Sequence, residues 1–245
     1  MVEQIHFLVA GAIGIGPALF LLWHSLRRFD YPRVEKTLFD DRKVFFALAV
    51  GLVFGTISSL VSLYSQAHDL AAIIIVLLVV ILFEESFKLV YLNRKGYRMN
   101  FASTFYGFSL GVGVAATVML ATGLRNPDLP DIPLFIALLI VFSISMNATE
   151  AMTGALIGYG CSKGEPWSHF FTALFARFFY TFVALPFLLA IGDEWIQYLS
   201  LFAALAVAIY LYHYSYYEIL PETLPPELRR LLRKARKARI RARKG

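Results

Sequence analysis

Residues 70–92 read LAAIIIVLLVVILFEESFKLVYL: an unbroken apolar run from Leu70 to Phe83, then Glu84, Glu85 and Lys88 before the run resumes. About 20 apolar residues are needed to cross the hydrocarbon core of a bilayer, and this stretch is long enough. Its upper part is apolar on every side, so neither a half-buried strand nor a helix lying on a surface fits it. Charges inside such a span are costly in lipid, so Glu84, Glu85 and Lys88 mark a candidate site before any other motif is considered.

Six further stretches qualify as spans on either side of it: roughly 5–26, 44–66, 101–123, 133–158, 168–191 and 195–217. The connections carry turn residues, among them Asn126-Pro127, Gly164 to Pro166 and Gly192-Asp193. An open sheet cannot satisfy its edge in lipid, so the expected class is all-α, a polytopic transmembrane bundle of about seven spans. Composition agrees: 58% of the 245 residues are hydrophobic and 16% charged, too little polar surface for an ordinary soluble domain. The first run starts almost at Met1 with its basic residues behind it, so it reads as a span and not as a cleaved signal. A single cysteine, Cys161, excludes an intramolecular disulfide framework and a cysteine zinc cluster. Gly11, Gly14 and Gly16 sit inside an apolar run with no strand before them and are not a nucleotide fingerprint.

Lys and Arg set the expected orientation. Arg27, Arg28, Arg33, Lys36, Arg42 and Lys43 follow the first span, Arg94, Lys95 and Arg98 the third, and Lys163 the fifth. The alternate loops hold only Arg125 against Asp69, Asp128, Asp131, Asp193 and Glu194. The N-terminus is therefore expected outside a cell membrane and the C-terminus in the cytoplasm, with Cys161 in a cytoplasmic loop. Residues 1–220 form the expected membrane domain and 221–245 a basic tail. From Arg229 onward that tail has ten basic residues and no acid, a composition that favours the anionic leaflet over nucleic acid. Three spans carry Gly-xxx-Gly, at Gly51/Gly55, Gly107/Gly111 and Gly154/Gly158, which reads first as close helix packing.

Other polar residues gather at one depth. Glu84 and Glu85 lie roughly 10 Å, Glu150 roughly 12 Å and Arg177 roughly 13–15 Å from the cytoplasmic ends of their spans, at ~1.5 Å per residue. Asn147 shares the stripe of Glu150, and Tyr180 lies three residues from Arg177. Tyr106 enters the fourth span from the same side. Together they suggest one polar chamber, open toward the cytoplasm, with Asn147, Glu150, Arg177, Tyr180 and Tyr106 as binding residues. The same charges could instead be buried pairs that fix helix register. His169, at the mouth of the sixth span, and His24, beside Arg27, read as interfacial residues.

Glu84-Glu85-Ser86-Phe87-Lys88, preceded by Leu82-Phe83, resembles the EExxK signature of the PrsW family of intramembrane metalloproteases, allied to the CAAX prenyl-protease superfamily. Gly14 to Leu19, Asp30-Tyr31-Pro32, Tyr106-Gly107-Phe108-Ser109, Gly113 to Ala116 and Gly154 to Gly160 resemble further family segments in order. The resemblance implies a seven-helix bundle, a zinc-activated water and hydrolysis of membrane-embedded protein substrates. It makes Glu84, Glu85 and Lys88 catalytic candidates, and Glu84, Glu85 and Glu150 metal candidates. The family's Glu-Asn pair, however, falls on Val118-Met119, and its histidines fall on Glu150 and on or beside Arg177. Guanidinium repels a cation and offers no lone pair. Three functions stay open on these grounds: an altered protease, an inactive homologue that binds membrane partners or lipids, and a proton- or cation-coupled transporter.

Overall fold

A computed structural model describes residues 2–30, 38–64, 69–125, 133–231 and 234, and every element among them is helical. They are α1 (Val2–Asp30), α2 (Asp41–Tyr64), α3 (Leu70–Leu92), α4 (Ser103–Leu124), α5 (Pro133–Lys163), α6 (Pro166–Leu188) and α7 (Glu194–Tyr214). The chain then passes through a π-helical turn (Ser215–Ile219) into the short α8 (Leu220–Glu222). Seven helices are long and apolar enough to cross a membrane, so the chain is a multi-pass membrane protein. Local chemistry sets several boundaries. Gly164 and Gly192 adopt φ of +81° and +78°, the left-handed conformation that breaks the helical run. Pro166 then opens α6, where its missing N–H costs nothing.

The bundle is built around α4, and glycine is the reason. A Cβ added at Gly107 would lie 2.1 Å from the Gly154 carbonyl oxygen, and one at Gly111 2.0 Å from that of Glu150. On the other flank, a Cβ at Gly51 would lie 2.2 Å from the Leu110 carbonyl oxygen. All three Gly-xxx-Gly stripes therefore face backbone, and α2, α4 and α5 touch main chain to main chain. Lipid supplies no hydrophobic drive between helices, so contact of this kind is what holds spans together.

The third helix is packed differently. Its buried residues begin at Val80 and continue through Glu84, Glu85, Lys88 and Leu89 to Leu92. The half from Leu70 to Val79 contains no buried residue.

Two expectations change. Cys161 is not in a loop. The α5 helix runs on to Lys163, Gly158 packs on the Ser103 carbonyl, and the Cys161 carbonyl accepts the Met99 N–H, which leaves the cysteine fully buried. The tail does not begin at residue 221 either. Leu224 and Leu228 are buried in the core, and Thr223 hydrogen-bonds Thr104 and the Phe101 carbonyl. The segment up to about Leu228 is thus part of the bundle. Most of the basic run beyond it lies outside the described residues, so the expected binding of the tail to an anionic leaflet has no structural counterpart here.

Candidate functional site

Four helices deliver one cluster. From α3 come Glu84, Glu85 and Lys88, from α5 Glu150 and Thr153, from α6 Arg177 and Tyr180, and from α2 Ser58. All five charged side chains are at most 4% exposed. The depth estimate from sequence put four of the charges at one level, and the structure joins them there.

Lys88 is the hub of the lower half. Its Nζ donates to Glu85 Oε1 at 2.8 Å, to Thr153 Oγ1 at 2.8 Å, and to Glu150 Oε2. Helical spacing sets Lys88 on the face of Glu84, four residues back, yet it bonds Glu85, three back, because Glu150 and Thr153 of α5 lie on that side. Arg177 is the hub of the upper half. Its Nη2 lies 2.7 Å from Glu150 Oε1 and 3.6 Å from Glu84 Oε2. The first contact is an ion pair and not an aligned hydrogen bond, since the carboxylate oxygen lies off the N–H directions. The Ser58 hydroxyl donates to Glu84 Oε1 at 2.5 Å. Arg177 Nη1 points at the Met146 sulfur, 3.1 Å away, and the guanidinium stands 5.7 Å from the centre of the Tyr180 ring. The Tyr180 hydroxyl bonds Ser145 Oγ at 2.6 Å, which fixes the ring.

The expected pairing of Glu150 with Arg177 is direct. Three carboxylates face two cations, and Glu85 Oε2 is buried without a partner. Among the described residues no group of three or more His, Cys, Asp or Glu is placed to hold a metal ion. The donor set explains why it does not fit zinc. The carboxylates that would ligate a cation already bind Lys88 and Arg177, and neither cation has a lone pair to offer.

Beside the cluster lies a cavity of about 180 Å³. Glu84, Arg177 and Tyr180 close its deep end, and Thr122, Arg125 and Leu188 its far end. Leu188 and Arg125 stand where α6 and α4 finish, at the end of the bundle away from Arg94, Lys95 and Lys163. The chamber therefore extends toward the end opposite the one expected. On the basic side, the Gly107–Gly154 contact and the Lys88 network close it with packed backbone and side chains.

Two expected binding residues are elsewhere. The Tyr106 hydroxyl accepts the Asp40 N–H at 3.2 Å, and its ring packs edge-on against Tyr97 at the basic end. Asn147 turns onto its own helix, donating to the Ser143 carbonyl at 2.9 Å and to Ser143 Oγ at 3.3 Å. His169 bonds the Glu165 carbonyl and His24 stacks on Phe20 and Tyr216, consistent with positions near helix ends. The sequence reading singled out for the site neither Ser58 nor Thr153, which continues the Glu150 stripe at i+3.

Compared with protein-family models, curated proteins and solved structures, the chain matches none.

Proposed function

We propose that this protein is a membrane-embedded binding protein that receives a membrane-dissolved ligand in the cavity beside Glu84 and Arg177 and does not hydrolyse it. The observation that carries this reading is the placement of Lys88 and Arg177 among the three carboxylates. Cations at those positions neutralise the groups that a hydrolytic metal centre would use, and they leave a rigid polar wall at the cavity floor. The resemblance to PrsW-type proteases supplies the scaffold in this proposal, with recognition kept and the metal chemistry lost. A cell membrane is the expected location.

The test is thermal unfolding of the purified protein with and without membrane lipid extract. Wild type is stabilised by the extract more than Ile81→Trp, which fills the cavity wall. Equal responses of the two proteins remove the cavity reading. One tight zinc per chain, whose removal lowers the unfolding temperature, restores the protease reading.

A second reading, proton- or cation-coupled transport, is favoured by the surplus carboxylate and the unpartnered Glu85 Oε2. Ion flux in proteoliposomes that vanishes in Glu84→Gln would support it, and no flux in wild type would remove it.

A further inference from the structure

Arg125 stands at the end of α4, within reach of the membrane surface, yet its side chain folds back along the helix. Its Nη2 donates to the Ser59 carbonyl of α2 at 2.7 Å. Gly55 meets Val114 and Thr117 on the parallel α4, so Ser59 lies about one turn short of the Arg125 backbone. Arginines near the ends of spans ordinarily extend outward and keep the charge hydrated. Among the described residues, no carboxylate pairs with this one.

Arg125 also borders two spaces. One is the inner cavity. The other is a groove of about 360 Å³ between α2 and α4, walled by Thr56, Leu60, Thr117, Leu120 and Leu124. Leu60 and Leu124 are 48% and 41% exposed, on the face where a bilayer would lie. From Thr117 to Leu124 the groove runs roughly 10 Å along the helix. It is mostly apolar and ends at a guanidinium that no carboxylate among the described residues pairs.

We propose that Arg125 binds the head group of an anionic phospholipid whose acyl chain lies in the groove between α2 and α4. Charge complementarity chooses the occupant. A guanidinium matches phosphate oxygens in a fork of N–H donors, and that match strengthens where water is scarce. A neutral chain would leave the cation unpaired. A partner helix, about 10 Å across with its side chains, is too wide for a groove of this volume. The proposal rests on the reading of this region as a binding chamber and names the ligand class. Ser59 and Arg125 border both spaces and form the wall between them.

The experiment uses the full chain in nanodiscs containing phosphatidylglycerol with a photoactivatable acyl chain. Cross-linked peptides are mapped, and a phosphatidylcholine probe with the same chain serves as control. Wild type should be labelled in α2 and α4 by the phosphatidylglycerol probe, and Arg125→Gln should lose about tenfold of that labelling. Labelling of the exposed face of α7, where Ile209 is 57% exposed, should be equal in both and provides the internal standard. Leu120→Trp fills the groove with Arg125 in place and should lose the same labelling, which keeps the test decisive if Arg125→Gln folds poorly. Undiminished labelling of the groove in either variant overturns the proposal, as does equal labelling by the phosphatidylcholine probe. Ile81→Trp acts on the inner cavity and should leave groove labelling unchanged. Failure of the cavity reading and failure of the lipid site are thereby told apart.

Discussion

The helices α3 and α4 are both spans, but they are held by opposite means. The most apolar of the seven is α3, yet only 22% of its most apolar window is buried, against 67% for α4. In water that order would be paradoxical. In lipid it is expected, because a leucine gains nothing by leaving acyl chains for a neighbouring helix. What binds a span is close backbone approach or polar contact. The α4 helix has the first through Gly107, Gly111 and Gly113. The α3 helix has the second through Glu84, Glu85 and Lys88, with its upper half left against lipid and the cavity beneath it. The cluster is thus the anchor of a loosely packed helix as well as the wall of a chamber.

If that contrast holds, single substitutions in the cluster are the most damaging. Arg177→Met and Lys88→Met each strand buried carboxylates, Glu150→Gln takes from both cations the carboxylate they share, and each should destabilise the protein by about 3–5 kcal/mol in reversible unfolding. Values near zero would mean that α3 is held by something else. Next in size is the glycine seam. Gly111→Ala places a Cβ 2.0 Å from the Glu150 carbonyl oxygen, so two helices must separate. The expected cost is about 1–3 kcal/mol, with the α3 contacts otherwise intact. The upper half of α3 should be nearly indifferent. Ile75 is 60% exposed, and Ile75→Ala should change stability by less than about 0.5 kcal/mol. A large loss there would show that this half packs on a partner.

Orientation can be read with no effect on stability. Because Cys161 is buried, it is a poor reporter of sidedness. Lys95→Cys in a Cys161→Ser background places an exposed thiol at the basic end. A membrane-impermeant thiol reagent should label it only in inverted or opened membranes. Labelling in intact cells would reverse the bundle and place the far end of the cavity in the cytoplasm.

Hydropathy made the seven spans legible, since length and apolarity alone decide which segments can cross. The five charges were legible because a charge in a span needs a reason. What the sequence could not give was azimuth. Depth put Tyr106 and Asn147 near the cluster, but the side of the helix they face sends one to Asp40 and the other to Ser143. Ser58 and Thr153 were missed because hydroxyls in spans often bond their own helix, as Thr56 and Thr149 do here. The direction of the chamber was misread for a related reason. Which end closes depends on where glycines from different helices meet, and spacing within one helix does not reveal its partner. Arg125 looked like an exception to a charge rule, and only its bond to Ser59 shows that it turns back.

The central claim is that Arg177 and Glu150 act as one pair where the resemblance expects metal ligands. A double-mutant cycle on Glu150→Gln and Arg177→Met, followed by reversible unfolding, measures this directly. The account expects the double change to cost less than the sum of the singles by more than about 1 kcal/mol, within the range seen for residues in contact. Additive costs within about 0.3 kcal/mol would contradict it.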